Sequence, residues 1–409
     1  MTLVLRAGTL IDGTGQPPVD DAVLVVEGER ITACGEAHAV TVPDGAEVLE
    51  APGCTLMPGM IDCHVHMMVH SMRLEERLMT HPTLALFYAA KNLGVTLRAG
   101  FTTVRDAGGA DPGLRQAVEM GLVEGPRMVV AGTIGQTGTH LEAYFPSGIK
   151  LGLGGPAPIR ICDGADEARR VTRETMREGY DCIKVCASGG ALAPQDSPLF
   201  TELSVEELTA IVETAASYGR VVMAHAQGTQ GIKNAVRAGA WSIEHGSMQD
   251  DEAREMLVES GTYLIPTLSV ARWTLEHGPK QGISEESLKK GAMLSEVHFE
   301  SMRQAAQAGV TMAVGTDSLG PMHGLNANEL ELLVTDAGMT PEQAIVAATK
   351  TGAEVCRMSH LVGTLEPGKL ADMVLVDGDP LADIRILQDK KRLRVFKGGR
   401  LIQGAEGGE

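Results

Sequence analysis

Eight short apolar runs, each ending in polar residues, recur between residues 59 and 317: "GMIDCHVH", "TTVRDAG", "RMVVAGT", "CIKVCAS", "VVMAHAQ", "WSIEHGS", "YLIPTLS" and "TMAVGTD". Helical segments lie between most of them, and two carry start signals. Ser204 and Glu207 form a capping box that opens "SVEELTAIVETAASYG", closed by Gly219. Thr340, Pro341 and Gln343 open "TPEQAIVAATKTG" in the same way. Eight strand–helix alternations across roughly 300 residues predict an α/β fold with a closed parallel (β/α)8 barrel rather than an open doubly wound sheet. No G-x-G-x-x-G follows the first run to favour the open sheet.

The two ends of the chain are written differently. Residues 1 to about 55 alternate apolar and polar positions between Gly and Asp turns, and "GTLEPGKLADMVLVDGDP" with "RLRVFKGGRLI" has the same texture. This is antiparallel strand patterning. The expected division is one small sheet domain from residues 1–56 and 364–409, around a barrel over 57–363.

An apolar share of 44% over 409 residues describes a soluble globular chain with a large core. The formal net charge of -18 argues against nucleic acid or anionic lipid as partner, because either adds like-charge repulsion. The start "MTLVLRAGTLIDGTG" lacks a basic segment followed by a long apolar run, and no stretch approaches the ~18 uninterrupted apolar residues of a membrane span. A cytoplasmic location is therefore expected. The seven cysteines are scattered without a C-x-x-C pair and read as reduced, mostly buried thiols.

In a barrel of this type chemistry sits at the C-terminal ends of the strands. His64 and His66 end the first run, Lys184 lies in the fourth, His225 in the fifth, His245 in the sixth and Asp317 at the end of the eighth. Alternate residues of a strand share a face, so His64 and His66 point the same way, roughly 7 Å apart at Cα. An isolated H-x-H pair reads equally well as two packing histidines. Four histidines and an aspartate converging from separate strand ends instead make a set of nitrogen and oxygen donors suited to zinc and similar divalent ions. Lys184, with Cys182 and Cys186 on the same face, faces a dry interior where burial favours the neutral amine. A lysine paired with a buried acid is the structural alternative.

These motifs, namely the H-x-H, the lysine of "IKVCASGG", "HAQG", "IEHGS", "GTDS" and the tail "GTLEPGKLADMVLVDGDP", resemble the amidohydrolase superfamily nearly end to end. The likeness is to the branch with Xaa-Pro dipeptidases, imidazolonepropionase-like proteins and ochratoxin-hydrolysing amidases. It implies a β-sandwich built from both termini and two divalent metal ions, zinc by expectation. His64, His66 and Asp317 would hold the buried ion, His225 and His245 the outer one, and Lys184 both, as a carbamate formed with carbon dioxide. It further implies hydrolysis of an amide bond in a small-molecule substrate, a dipeptide or N-acyl amino acid, by a water activated between the ions. Asp317 would accept and return the proton. A homo-oligomer is also expected.

Around this centre, His140 in "GQTGTHLEAYF" resembles the histidine of a T-G-G-H loop that contacts substrate in that branch and doubles as a catalytic candidate; a solvated loop histidine is the alternative. Gln227 stands where the branch often has tyrosine, and an amide is no acid. Arg237 could pair with a substrate carboxylate or remain a solvated helix residue. Cys186 reads as an inert thiol before a soft ligand. Other readings are a lactonase, phosphotriesterase or ring-amide hydrolase on the same metals, and a non-catalytic assembly protein. Ring-amidine deaminases usually lack the bridging lysine. The loops "LEAYFPSGIKLGLGGPAPIR" and "TLEHGPKQGISEESLKK" give little purchase on specificity.

Overall fold

The computed structural model describes residues 2–143, 158–193 and 195–403. Most of the loop "LEAYFPSGIKLGLGGPAPIR" and residues 404–409 of the expected terminal sheet lie outside the described residues. In chain order the strands are β1 Thr2–Leu10, β2 Val19–Glu27, β3 Arg30–Glu36, β4 Glu47–Pro58, β5 Met60–Val65, β6 Phe101–Asp106, β7 Arg127–Gly135, β8 Ile159–Ile161, β9 Cys182–Cys186, β10 Val221–Ala226, β11 Ser242–His245, β12 Tyr263–Ile265, β13 Met373–Asp377, β14 Leu393–Lys397 and β15 Arg400–Gln403. They form two sheets, one in the order β15-β14-β13-β4-β1-β2-β3 and one in the order β12-β11-β10-β9-β7-β6-β5, with β8 paired to β7.

Seven of the eight expected runs are strands of the parallel sheet. The eighth, "TMAVGTD", is not a regular strand, yet it closes the ring. Leu264 of β12 donates its N–H to Thr311 O at 2.9 Å and accepts from Ala313 N at 3.1 Å, while on the other side Cys63 N reaches Val314 O at 2.8 Å and Asp317 N reaches His64 O at 2.8 Å. Its ladder is irregular because Asp317 takes a left-handed φ of 53° and Val314 N bonds instead to Ala347 O. Gly315 lets the segment pass this close, since a Cβ there would stand 2.2 Å from Ile265 Cγ2 and 3.0 Å from His64 Cβ. The three-residue β8 was not expected; it is too short for an alternating pattern to be read.

The terminal sheet joins both ends of the chain as expected, but it is mixed. β1 pairs β2 antiparallel and β4 parallel, because the chain crosses over after β3 and returns on the free edge of β1. The sheet rolls so that its outer hairpins approach: Ala371 N bonds Glu29 O and Gly399 N bonds Ala371 O, each at 2.9 Å or less. Leu5, Leu24, Ile31, Leu56, Met373, Leu375 and Phe396 fill the interior so formed.

Both capping boxes are present, at Ser204–Glu207 and Thr340–Gln343. The first opens the helix Val205–Ser217, whose Leu208, Ile211 and Ala215 recur at helical spacing and are buried against the barrel. Gly219 follows the helix end with a φ of 68°. All seven cysteines are free. Among the described residues no helix is long and apolar enough to cross a membrane.

One ion pair ties the base of the barrel to the terminal sheet. Arg127, the first residue of β7, donates from Nε to Asp372 Oδ2 at 2.8 Å and from a terminal nitrogen to Oδ1 at 3.1 Å. Gly398 N bonds the same carboxylate at 2.7 Å, and Asp372 is buried. Breaking a fully buried pair costs ~3–5 kcal/mol; Arg127 keeps a quarter of its surface exposed, so Arg127→Ala is expected to lower stability by roughly 2–3 kcal/mol. Urea denaturation checks this, and an unchanged midpoint would mean that the pair holds nothing.

Candidate active site

All the expected site residues except Arg237 line one cavity of about 1020 Å³ at the C-terminal ends of the barrel strands. Arg237 is corrected by the structure. It ends the helix Thr229–Arg237, does not line the cavity, and is exposed on the outside of the barrel, where it pairs with Glu252 at 3.1 Å.

Five imidazoles form a continuous arc. Ring centroids are 5.4 Å apart for His66 and His64, 5.2 Å for His64 and His245, 4.6 Å for His245 and His225, and 4.3 Å for His225 and His140. Asp317 Oδ1 lies 3.2 Å from His66 Nε2 and 3.6 Å from His64 Nε2. Lys184 Nζ is 3.4 Å from His64 Nε2. One donor atom each from His64, His245 and Asp317 lies within 4.8 Å of the others.

Four of these rings have one nitrogen committed away from the arc, that of His140 being Nδ1, at 2.7 Å from Asp196 Oδ2. His64 Nδ1 meets Glu244 Oε2 at 2.6 Å, His66 Nδ1 meets Gly108 O at 2.8 Å, and His245 Nδ1 meets Thr267 Oγ1 at 2.6 Å. Such partners fix ring orientation and leave Nε2 as the inward nitrogen, the arrangement that metal-ligating histidines use. His225 differs, with Nε2 at 3.2 Å from Gly189 O.

The electrostatics suit a cation. Burial holds the imidazoles of His64, His225 and His245 well below their ordinary range, and neighbouring cationic groups add to it. They are neutral donors at physiological pH. Burial alone would raise Asp317, but the hydrogen bond and charge of His66, with the charge of Lys184, outweigh it and keep the carboxyl below its usual range. Burial likewise lowers Lys184, so its neutral amine is more accessible. Burial raises the Cys186 thiol, as an inert thiol requires. The donor set therefore fits one or more divalent ions.

Backbone conformation marks the same place. His245, Thr267 and Asp317 have φ values of 70°, 54° and 53°. Left-handed conformations are costly for side-chain-bearing residues, most of all a β-branched one, and persist where surroundings over-determine them.

Several supporting residues escaped the sequence reading. Arg105, wholly buried on β6, donates from Nε to Cys63 O at 2.7 Å and from its terminal nitrogens to Ser242 Oγ at 3.1 Å and Glu244 Oε1 at 2.9 Å. Asp62 accepts from His64 N, Thr316 N, Thr316 Oγ1 and Asn326 Nδ2, and burial pushes its carboxyl up to about 6 despite those bonds. Charged residues inside short apolar runs were the available signal: Asp62, Arg105 and Glu244 all interrupt strands whose faces should be dry. His298 also lines the cavity, but it sits mid-helix in Glu285–Ala308, where strand-end reasoning does not look.

Comparison with known proteins agrees with this geometry. Residues 55–402 match the model of the amidohydrolase family. Ochratoxinase of Aspergillus niger is 35% identical over 98% of this chain and 86% of its own length. A prolidase crystallised with N-methylphosphonate-L-proline is 36% identical with a TM-score of 0.91, covering 98% of this chain and 99% of that one. A Xaa-Pro dipeptidase with methionine in its active site is 31% identical with a TM-score of 0.90, covering 99% and 100%. By fold, by strand-end residues and by likeness along nearly its whole length, the chain belongs to the amidohydrolase family.

Proposed function

We propose that the chain is a divalent-metal-dependent amide hydrolase acting on dipeptides or N-acyl amino acids. The observation that carries this is the gathering of His64, His245 and Asp317, with Lys184 beside them, at the base of a cavity lined also by His66, His225, His140 and Gln227. The names of the ochratoxinase, prolidase and dipeptidase relatives support amide substrates with a carboxylate-bearing product. Zinc is the ion expected, in a two-ion centre held by His64, His66, His225, His245, Asp317 and a carbamate on Lys184. When bound, the ions supply Lewis acidity and an activated water.

The chain's own residues supply the rest. Asp317, ionised and hydrogen-bonded to His66, accepts a proton at its carboxylate and returns it to the leaving amine. His140 and Gln227 meet the substrate. Gln227 Oε1 is buried and receives no hydrogen bond among the described residues, which costs ~1–3 kcal/mol; an N–H on the substrate offsets that cost. The division into a terminal sheet domain, 1–56 with 364–409, and a barrel, 57–363, belongs to the same reading. Seven free cysteines support a cytoplasmic setting, and exposed Phe87, Met120 and Leu122 offer a face for a homo-oligomer.

Exhaustive chelation is expected to abolish turnover of dipeptides and N-acyl amino acids, and zinc, manganese or cobalt to restore it. The panel should include lactones and phosphotriesters, since full activity without metal, or turnover of those esters alone, rejects the proposal. Lys184→Ala is expected to lose bound metal, read by elemental analysis, together with rate, and a short carboxylic acid to restore part of both. A Lys184→Ala protein with full metal content and rate would leave the lysine structural. Asp317→Asn keeps an oxygen but cannot cycle a proton at neutral pH; it is expected to retain much of its metal while kcat falls by roughly 10²–10⁴. Retention of both metal and kcat would move the base elsewhere.

A further inference from the structure

His140 is held by a buried carboxylate that the proposed centre does not use. Its Nδ1 lies 2.7 Å from Asp196 Oδ2, and its backbone N–H donates to Glu202 Oε1 at 2.8 Å. Asp196 is 5% exposed and does not line the cavity, whereas His140 does. The carboxylate is itself fixed, taking Gly190 N on Oδ2 and Ser197 N on Oδ1, each at 2.7 Å.

The surrounding sequence makes room for this pair. A Cβ on Gly189 would stand 2.0 Å from Asp196 Oδ1, and one on Gly190 would stand 2.5 Å from His140 Cε1. The two glycines that follow β9 and its Lys184 therefore leave space for a carboxylate and an imidazole respectively. The loop carrying Asp196 is anchored from outside by the long helix Glu285–Ala308: Ser287 Oγ bonds Leu192 O at 2.9 Å, and Lys290 Nζ bonds Ala193 O at 2.9 Å and Asp196 O at 3.0 Å. On its other side the His140 ring stacks on His225 with planes 21° apart. Ring, carboxylate and loop are thus clamped.

From this geometry we infer that Asp196 is a positioning residue for the hydrolysis: it commits the His140 proton to Nδ1 and presents Nε2, the basic nitrogen, to the substrate. The inference rests on the amide-hydrolase reading. A carboxylate can only accept here, so the bond requires Nδ1–H, and of the two tautomers of an uncharged imidazole only the one with its lone pair at Nε2 fits. Asp196 acts through His140, so it should matter only while His140 is there.

The test is a double-mutant cycle on metal-supplemented protein with Asp196→Ala, His140→Ala and the double variant, with metal content measured for each. Asp196→Ala is expected to keep its metal and to lower kcat roughly 10- to 100-fold with little change in KM. In the His140→Ala background the same substitution is expected to change kcat less than about 2-fold. Losses that multiply, or metal loss on Asp196→Ala, overturn the inference. Should Asp196→Ala fail to fold, Asp196→Asn keeps the shape and enters the same cycle. Independently of any substrate, 15N spectra of histidine-labelled protein, with His140 assigned by its absence in His140→Ala, are expected to place the proton on Nδ1, and a proton on Nε2 instead overturns it. If no amide is turned over, the functional reading fails while the spectrum still decides the tautomer.

Discussion

One buried carboxylate holds the floor of the barrel. Glu244 gives one oxygen to Arg105 and Ser242, at 2.9 and 2.5 Å, and the other to His64 Nδ1, at 2.6 Å. Each of these groups is costly to bury alone, and together they satisfy one another. Arg105 also reaches Cys63 O, so the strand that carries His64 is bound at backbone and side chain by one network spanning β5, β6 and β11. The consequence is geometric: His64 is left with Nε2 turned toward Asp317 and Lys184. An apolar filling of the same volume would serve stability as well or better, so this network is best understood by what it orients.

A second constraint acts at the rim. β11 ends at His245 and the eighth run at Asp317, both in left-handed conformations, and Thr267, hydrogen-bonded to His245 Nδ1, has one too. The turns aim side chains inward that a continued strand would carry past the cavity. The surrounding structure supplies the restraint, since Asp317 N is tied to His64 O and Glu329 takes the N–H groups of Leu268 and Ser269 just after Thr267, at 2.8 and 2.6 Å. Burial raises that glutamate to about 8 even with those bonds. Strain and buried titratable groups are thus gathered in the same few residues.

Much of this was legible in the sequence because two periodicities coincide with function. The alternation of apolar runs and helices gave the barrel, and polar residues closing those runs gave His64, His66, Lys184, His225, His245 and Asp317 as cavity residues. What escaped has physical reasons. The eighth run reads as a strand but bonds both neighbours without forming a regular one, and it turns at Asp317. Arg237 could pair with a substrate carboxylate on residue type alone, yet it is exposed on its helix and paired with Glu252, outside the cavity lining. Asp196 lies in an irregular loop, where neither period applies and only the two glycines before it hint at close packing.

Gln227 shows how far geometry goes beyond residue type. A phenol at this position would donate a proton toward a carbonyl oxygen, whereas the amide has no acid to offer. Its backbone N–H is already taken by Ser188 Oγ at 2.8 Å and its carbonyl by Met248 N at 2.8 Å, so only the side-chain amide is available. Oε1 of that amide is buried and has no donor among the described residues. On the amide-hydrolase reading proposed above, polarisation of a scissile carbonyl would fall to the bound ions rather than to residue 227, and a substrate donor reaching Oε1 would satisfy that oxygen. A substrate with an N–H near its cleaved bond supplies such a donor, which an ester or lactone lacking that N–H does not.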